Sequence, residues 1–198
     1  MRVLLLLILA AVLAGCATQP PPPDRPAEEL FAERVEALGA MQRWQTTGRM
    51  AINTPSENVT VSLDWRETGE AWRLDMRGPF GSGAVQLQGN AQGVTLRTAD
   101  GREDFAMDAG ELLYHYTGYQ LPMHVLRDWV RGLPAADQEH DLDLDEFGRP
   151  QTLEQLGWSI RYTGWTEANG VQVPSRMTLD GPDINLRASL RSWELARD

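Results

Sequence analysis

From Asn58 onward the side chains switch character at every residue. Val59, Val61, Leu63 and Trp65 alternate with Thr60, Ser62, Asp64 and Arg66. A period of two places one set on each face of a β-strand, whereas a helix, with its period of 3.6, would scatter both sets around its axis. Trp72, Leu74 and Met76 repeat the pattern between Arg73, Asp75 and Arg77, as do Val85 with Leu87 and Val94 with Leu96. Arg102–Met107 is a further short run, and Trp158, Ile160 and Tyr162 alternate with Ser159, Arg161 and Thr163. Turn formers separate the runs at Thr68-Gly69, Gly78-Pro79, Gly89-Asn90 and Asp100-Gly101. Short strands so spaced specify an antiparallel meander with one wet face and one apolar face.

The C-terminal part continues in the same way. Met177 and Leu179 mark a strand after Pro174. In the last strand Ile184, Leu186, Ala188 and Leu190 hold even positions, then Trp193 and Leu195 hold odd ones. That change of parity predicts a bulge near Arg191-Ser192. With the weaker runs 42–52, 139–145 and 149–155, about eleven strands are expected.

Three segments follow a helical period instead. Ala27 to Met41 carries Phe31, Val35 and Leu38 at helical spacing, with Glu28 and Glu29 early, where the helix dipole favours acid. Asp108-Ala109-Gly110-Glu111 has the form of a capping box with Asp as the cap; it opens a helix bearing Leu112, Leu113 and Tyr116 that Gly118 ends. Pro122 stands at a first-turn position ahead of Val125, Leu126, Trp129 and Val130, and Gly132-Leu133-Pro134 closes that segment. The expected class is mainly β with α. Periodicity does not distinguish a hollow interior from a filled one.

The N-terminus has the three parts of an export signal. Arg2 supplies the positive charge, and Val3 to Leu13 form an apolar run of about a dozen residues, short of the roughly 20 that span a bilayer. Leu13-Ala14-Gly15-Cys16 then matches the lipobox of bacterial lipoproteins. The resemblance implies cleavage before Cys16 and acylation of its thiol and its freed amine. Ala17 follows where Asp usually retains Gram-negative lipoproteins on the inner membrane, which implies sorting to the outer membrane. Residues 17–26 contain five prolines and read as an extended tether of about 3 Å per residue. The expected organisation is a signal peptide over 1–15, a lipidated Cys and tether over 16–26, and a single domain over 27–198. Roughly 170 residues bury enough surface to fold without metal or disulfide, and one cysteine permits no intramolecular disulfide.

A formal net charge of −10 argues against nucleic acid as a partner and against electrostatic attachment to anionic headgroups. Motifs that carry chemistry are missing: no G-x-S-x-G, no P-loop and no H-E-x-x-H. His115, His124 and His140 lack metal-ligand spacing. Asp141 to Glu146 alternates Leu with acid as an edge strand does, and it lacks the EF-hand glycine. Neither catalysis nor a cofactor or metal is expected. A lipid-anchored scaffold that binds a protein through its sheet edge, without a cavity, is one reading of these residues.

Five stretches carry a more specific signal. They are Trp44 with Gly48-Arg49-Met50-Ala51-Ile52, then Ser62-Leu63-Asp64-Trp65, then Gly78-Pro79-Phe80-Gly81-Ser82, then Gly118-Tyr119-Gln120-Leu121-Pro122, and last Leu126-Arg127-Asp128-Trp129-Val130-Arg131-Gly132-Leu133-Pro134. In this order, behind a lipobox and a helix, they resemble the LolB family of outer-membrane lipoprotein receptors over nearly the whole mature chain. The resemblance implies an incomplete antiparallel β-barrel of eleven strands with a helical lid, as in LolA and LolB. It also implies a monomer, lipid-anchored on the periplasmic face of the outer membrane, that accepts lipoproteins from a LolA-like periplasmic carrier. Their acyl chains would be passed into the phospholipid of the inner leaflet. Under that resemblance Trp65, Trp72, Leu74, Met76, Val85, Leu87, Leu112, Leu113, Leu126 and Trp129 are candidates for an acyl-chain cavity; taken singly each reads as core, and the resemblance alone raises the cavity reading. Phe80 sits among turn formers where the family carries a large protruding apolar residue, usually Leu, needed for delivery into the membrane. Packing against the barrel edge is its other reading.

Overall fold

The computed structural model of the chain describes residues 23–79 and 83–196. Cys16 and Phe80 lie outside the described residues. The elements are α1 (Ala27–Gly39), β1 (Arg43–Asn53), β2 (Asn58–Thr68), β3 (Ala71–Arg77), β4 (Val85–Asn90), β5 (Gly93–Thr98), β6 (Glu103–Ala106), α2 (Ala109–Thr117), α3 (Met123–Trp129), β7 (His140–Leu144), β8 (Pro150–Gln155), β9 (Trp158–Ala168), β10 (Val171–Gly181) and β11 (Ile184–Ala196).

The strands make one sheet in the order β6-β5-β4-β3-β2-β1-β11-β10-β9-β8-β7. Each strand is antiparallel to its neighbours. Two meanders therefore meet where the first strand pairs with the last, and β6 and β7 are left as free edges. The sheet does not close. The chain leaves one edge at β6 and returns to the other at β7, and α2 and α3 lie in that connection, α2 packing on β5 and β6. The expected incomplete barrel with a helical lid is what the chain forms. Leu63, Trp65, Leu74, Leu87, Leu96, Ile160, Met177, Leu179, Leu186 and Leu190 are buried with α3's Trp129 in one core. Among the described residues no helix is long and apolar enough to cross a membrane.

The predicted bulge is present. Thr47 faces Ser192 and Gly48 faces Leu190, so Arg191 is the extra residue. Gly48 makes this approach sterically allowed: a Cβ there would stand 2.2 Å from the Ser189 carbonyl oxygen.

Two boundaries differ from the sequence-based expectation. Helix α1 ends at Gly39, and Met41, only 1% exposed, packs beyond it in the core. Strand β10 starts at Val171 and runs through Pro174, where a proline would ordinarily demote a strand. The ladder to β11 begins only at Arg176, and the register against β9 is irregular there, so Pro174 interrupts no hydrogen bond to β11. Trp193 donates its indole N–H to the Pro174 carbonyl at 2.9 Å instead.

Candidate functional site

Beneath α2 and α3 the concave face leaves a void of about 70 Å³. The sheet supplies Met50 from β1, Leu63 and Trp65 from β2, and Leu74 and Met76 from β3. Strand β10 adds Met177 and Leu179, and β11 adds Leu186, Ala188 and Leu190. Leu113 of α2, Leu121 of the linker, Met123 and Leu126 of α3, and Val130 just beyond form the roof. Every lining side chain is aliphatic, aromatic or a thioether. Four are methionines, whose unbranched, polarizable side chains re-pack around ligands of different shape.

Of the ten cavity candidates, Trp65, Leu74, Met76, Leu113 and Leu126 line this void. The other five stand elsewhere. Leu87 is fully buried in the core, Leu112 is buried on α2, and Val85 and Trp72 pack partly buried against the core. Trp129 is fully buried and belongs to the anchoring of α3. Met50, Leu63, Leu121, Met123, Val130 and the β10–β11 wall complete the lining without having been singled out as cavity candidates. For the β11 part of that wall the signal was the even-numbered parity of Leu186, Ala188 and Leu190, which names a face and not the depth of the groove behind it.

Helix α3 is fastened at several points. Gly132 has φ +75°, and the Leu133 and Gly132 N–H groups donate to the carbonyls of Asp128 and Trp129 at 3.0 and 2.9 Å, a Schellman ending. A Cβ at Gly132 would meet Trp165 at 2.8 Å and Arg34 at 2.9 Å, so this turn needs glycine on two counts. Trp129 donates its indole N–H to Gln155 at 2.7 Å, and Tyr162 donates its hydroxyl to the Trp129 carbonyl at 2.8 Å. Arg131 reaches back to the Leu38 carbonyl at 3.1 Å, while Arg34 donates to the Arg131 carbonyl at 2.7 Å and to the Gln172 carbonyl. Helix α1 and the end of α3 thus hold one another. Burial pulls the Arg34 guanidinium below its ordinary value, and its Nε has no partner among the described residues.

The front of α3 is held by an ion pair. Arg127 Nη2 lies 2.6 Å from Glu67 Oε2, and Trp65 donates its indole N–H to Glu67 Oε1 at 3.0 Å. Glu67 is 2% exposed. Burial raises its carboxyl above the usual value, opposed by the Arg127 charge and the Trp65 hydrogen bond. Helix α2 has fewer polar ties. Asp108 caps it by accepting from the Glu111 N–H at 3.0 Å, as the capping box predicts, and Gly118 ends it in the left-handed conformation. Across to the sheet, Tyr116 donates to Asp104, and Leu112 and Leu113 pack downward.

His115, His124 and His140 do not converge, and no group of His, Cys, Asp and Glu among the described residues could hold a metal ion.

The comparisons with known proteins agree with this architecture. The family model described as outer membrane lipoprotein LolB matches residues 42–193. The outer-membrane lipoprotein LolB of Alkalilimnicola ehrlichii is 40% identical over 98% of both chains. That of Halorhodospira halophila is 41% identical over 100% of this chain and 97% of its own. A crystal structure of a LolA superfamily protein from Nitrosomonas europaea superposes with TM-score 0.53 at 11% identity, covering 87% of this chain and 94% of that one, and supports the fold alone. The family match across both meanders and the lid, with full-length relatives at this identity, establishes that the chain belongs to the LolB family of outer-membrane lipoproteins.

Proposed function

We propose that this LolB-family protein, an outer-membrane lipoprotein receptor of the Lol pathway, takes acyl chains of client lipoproteins from a LolA-like carrier into the void under α2 and α3. It then passes them to phospholipid of the outer membrane's inner leaflet. The observation that carries this reading is an all-apolar void in an unclosed sheet, roofed by helices. Each methylene taken out of water contributes roughly 0.8 kcal/mol, so an acylated protein needs such a shelter in transit. Pockets that enclose a small molecule measure roughly 300–1,000 Å³. At about 70 Å³ the void is therefore a closed form that must widen to load. Helix α3 is tied to the sheet by Arg127 and Trp129 and its end to α1 by Arg131, and α2 mainly by apolar contacts, so α2 and the 118–122 linker are the parts that lift.

Residues 1–15 act as a signal peptide, and residues 16–26 act as a lipidated Cys16 with its tether. The domain over 27–198 works as a monomer on the periplasmic face without catalysis, and Phe80 enters the bilayer to bring the cavity mouth to it. The deciding experiment reconstitutes the full-length protein in liposomes and supplies a lipoprotein-loaded LolA carrier. Leu126→Glu, which puts a carboxyl in the apolar roof, should abolish transfer while circular dichroism still shows the folded sheet, with a lowered melting temperature that stays above the assay temperature. Undiminished transfer by that folded variant would leave the scaffold reading in place.

A further inference from the structure

A second pocket, of about 210 Å³, adjoins the apolar void and shares Trp65 and Met123 with it. The two faces of α3 divide the two spaces. Met123, Leu126 and Val130, three and four residues apart, turn to the void. His124 and Arg127, each one position further on, line the second pocket. Its lining is polar where the void is not: Glu67 from β2 and Asp108 before α2 stand opposite α3.

The hydrogen-bond capacity here is uneven. Both Glu67 oxygens are occupied, one by Trp65 and one by Arg127. Asp108 is committed to the cap of α2. Arg127 carries five N–H donors, yet only its Nη2 bonds to a described residue, and 39% of its side chain is exposed. The pocket thus offers donors but little attraction for an anion, because Glu67 neutralises Arg127 and Asp108 adds a second carboxylate. An uncharged carbonyl can accept from the remaining Arg127 N–H groups, whereas a phosphodiester would face two acids.

We propose that this annex holds the uncharged amide carbonyl that joins an acyl chain to the N-terminal amine of a client, with Arg127 as donor, while the chains lie in the void. The inference rests on the acyl-cavity reading above and adds a recognition element to it. Hydrocarbon and ester carbonyls cannot distinguish a lipoprotein from the surrounding phospholipid; the N-acyl amide can.

The test uses the full-length protein in phospholipid nanodiscs and photo-crosslinking mapped by mass spectrometry. The probes are a synthetic triacylated cysteinyl peptide with a diazirine beside the amide linkage, the same peptide with the diazirine at an acyl terminus, and a phosphatidylglycerol labelled on its headgroup. The linkage label should cross-link to Trp72, Asn90 or Met107 around the annex, and the acyl label to Met177 or Leu186. The headgroup label should do neither. In the double variant Glu67→Gln/Arg127→Met, linkage cross-links in the annex should fall roughly tenfold relative to the acyl-end cross-links of the same variant, as expected for losing a charge-assisted hydrogen bond. Those acyl-end cross-links report any change in the void on releasing this tie of α3. Arg127→Lys, which keeps the ion pair but loses the fork, should give an intermediate loss and decides the matter if the double variant does not fold. Linkage cross-links that lie elsewhere, or that ignore both variants, overturn the annex. Equal labelling of the annex by the phosphatidylglycerol headgroup also overturns it. Failure of the acyl label to reach the void in the wild type overturns the acyl-cavity reading itself.

Discussion

Trp129 and Gln155 meet in the core, the indole N–H 2.7 Å from the amide oxygen. The same oxygen accepts the Ala135 N–H at 2.8 Å, and the Gln155 amide nitrogen donates to the Ala135 carbonyl at 3.0 Å. One buried glutamine thereby fixes both the root of α3 and the chain leaving it. Gln155→Leu keeps the volume but strands three buried polar groups, each costing about 1–3 kcal/mol. Stability should fall by about 3 kcal/mol, with Tm lower by roughly ten degrees. Urea unfolding checks this, and a loss below about 1 kcal/mol would assign those groups to other partners.

Glu67 gives stability a pH dependence. Its carboxyl binds a proton more tightly in the folded protein than in the unfolded chain, because burial raises it. The folded state therefore holds more protons between the unfolded and folded values, and stability contributed by Glu67 rises as pH falls through that window and is lost as pH rises out of it. Glu67→Gln keeps the Trp65 hydrogen bond and should flatten that slope above the ordinary glutamate value. Unfolding free energies across mildly acidic to neutral pH measure it; an unchanged slope assigns it to other groups.

Filling the void distinguishes a cavity from a core. Ala188 lines it from β11, half-buried. Ala188→Phe should occupy the free space with a stability change within about 2 kcal/mol, the usual range for modest overpacking. Lipoprotein acceptance should nevertheless fall more than tenfold. A transfer assay beside a thermal melt gives both numbers, and normal acceptance would mean that the chains bind elsewhere.

Phe80 is expected to act after uptake. A side chain of its size contributes roughly 1.5–3 kcal/mol when buried in an apolar phase. Phe80→Glu should fold and accept lipoprotein from the carrier, yet fail to deliver it into liposomes. Wild-type delivery, or loss of uptake together with the fold, would assign Phe80 to packing at the barrel edge.

Much of this architecture was already legible in the chain. Alternation placed the strands, the Asp108–Glu111 box and Gly118 bounded α2, and the parity change in the last strand located the bulge at Arg191. These are local rules of backbone geometry, so a few neighbouring residues determine them. The order Leu126 to Pro134, read with the other four stretches, also carried the family.

What the chain alone left undecided is which apolar residues meet a void and which meet one another. Leu87 and Leu74 face each other across β3 and β4 with the same alternation, yet Leu74 lines the void and Leu87 does not. Leu112 and Leu113 are adjacent on α2, and only Leu113 lines it. Period two reports the face of a sheet, not its curvature or the height at which a helix rides above it. That height follows from tertiary contacts between distant residues, namely Glu67 with Arg127, Gln155 with Trp129, and Leu38 with Arg131. Each joins segments far apart in sequence, so the hollow exists only once the sheet has curved and α3 has been fastened across it.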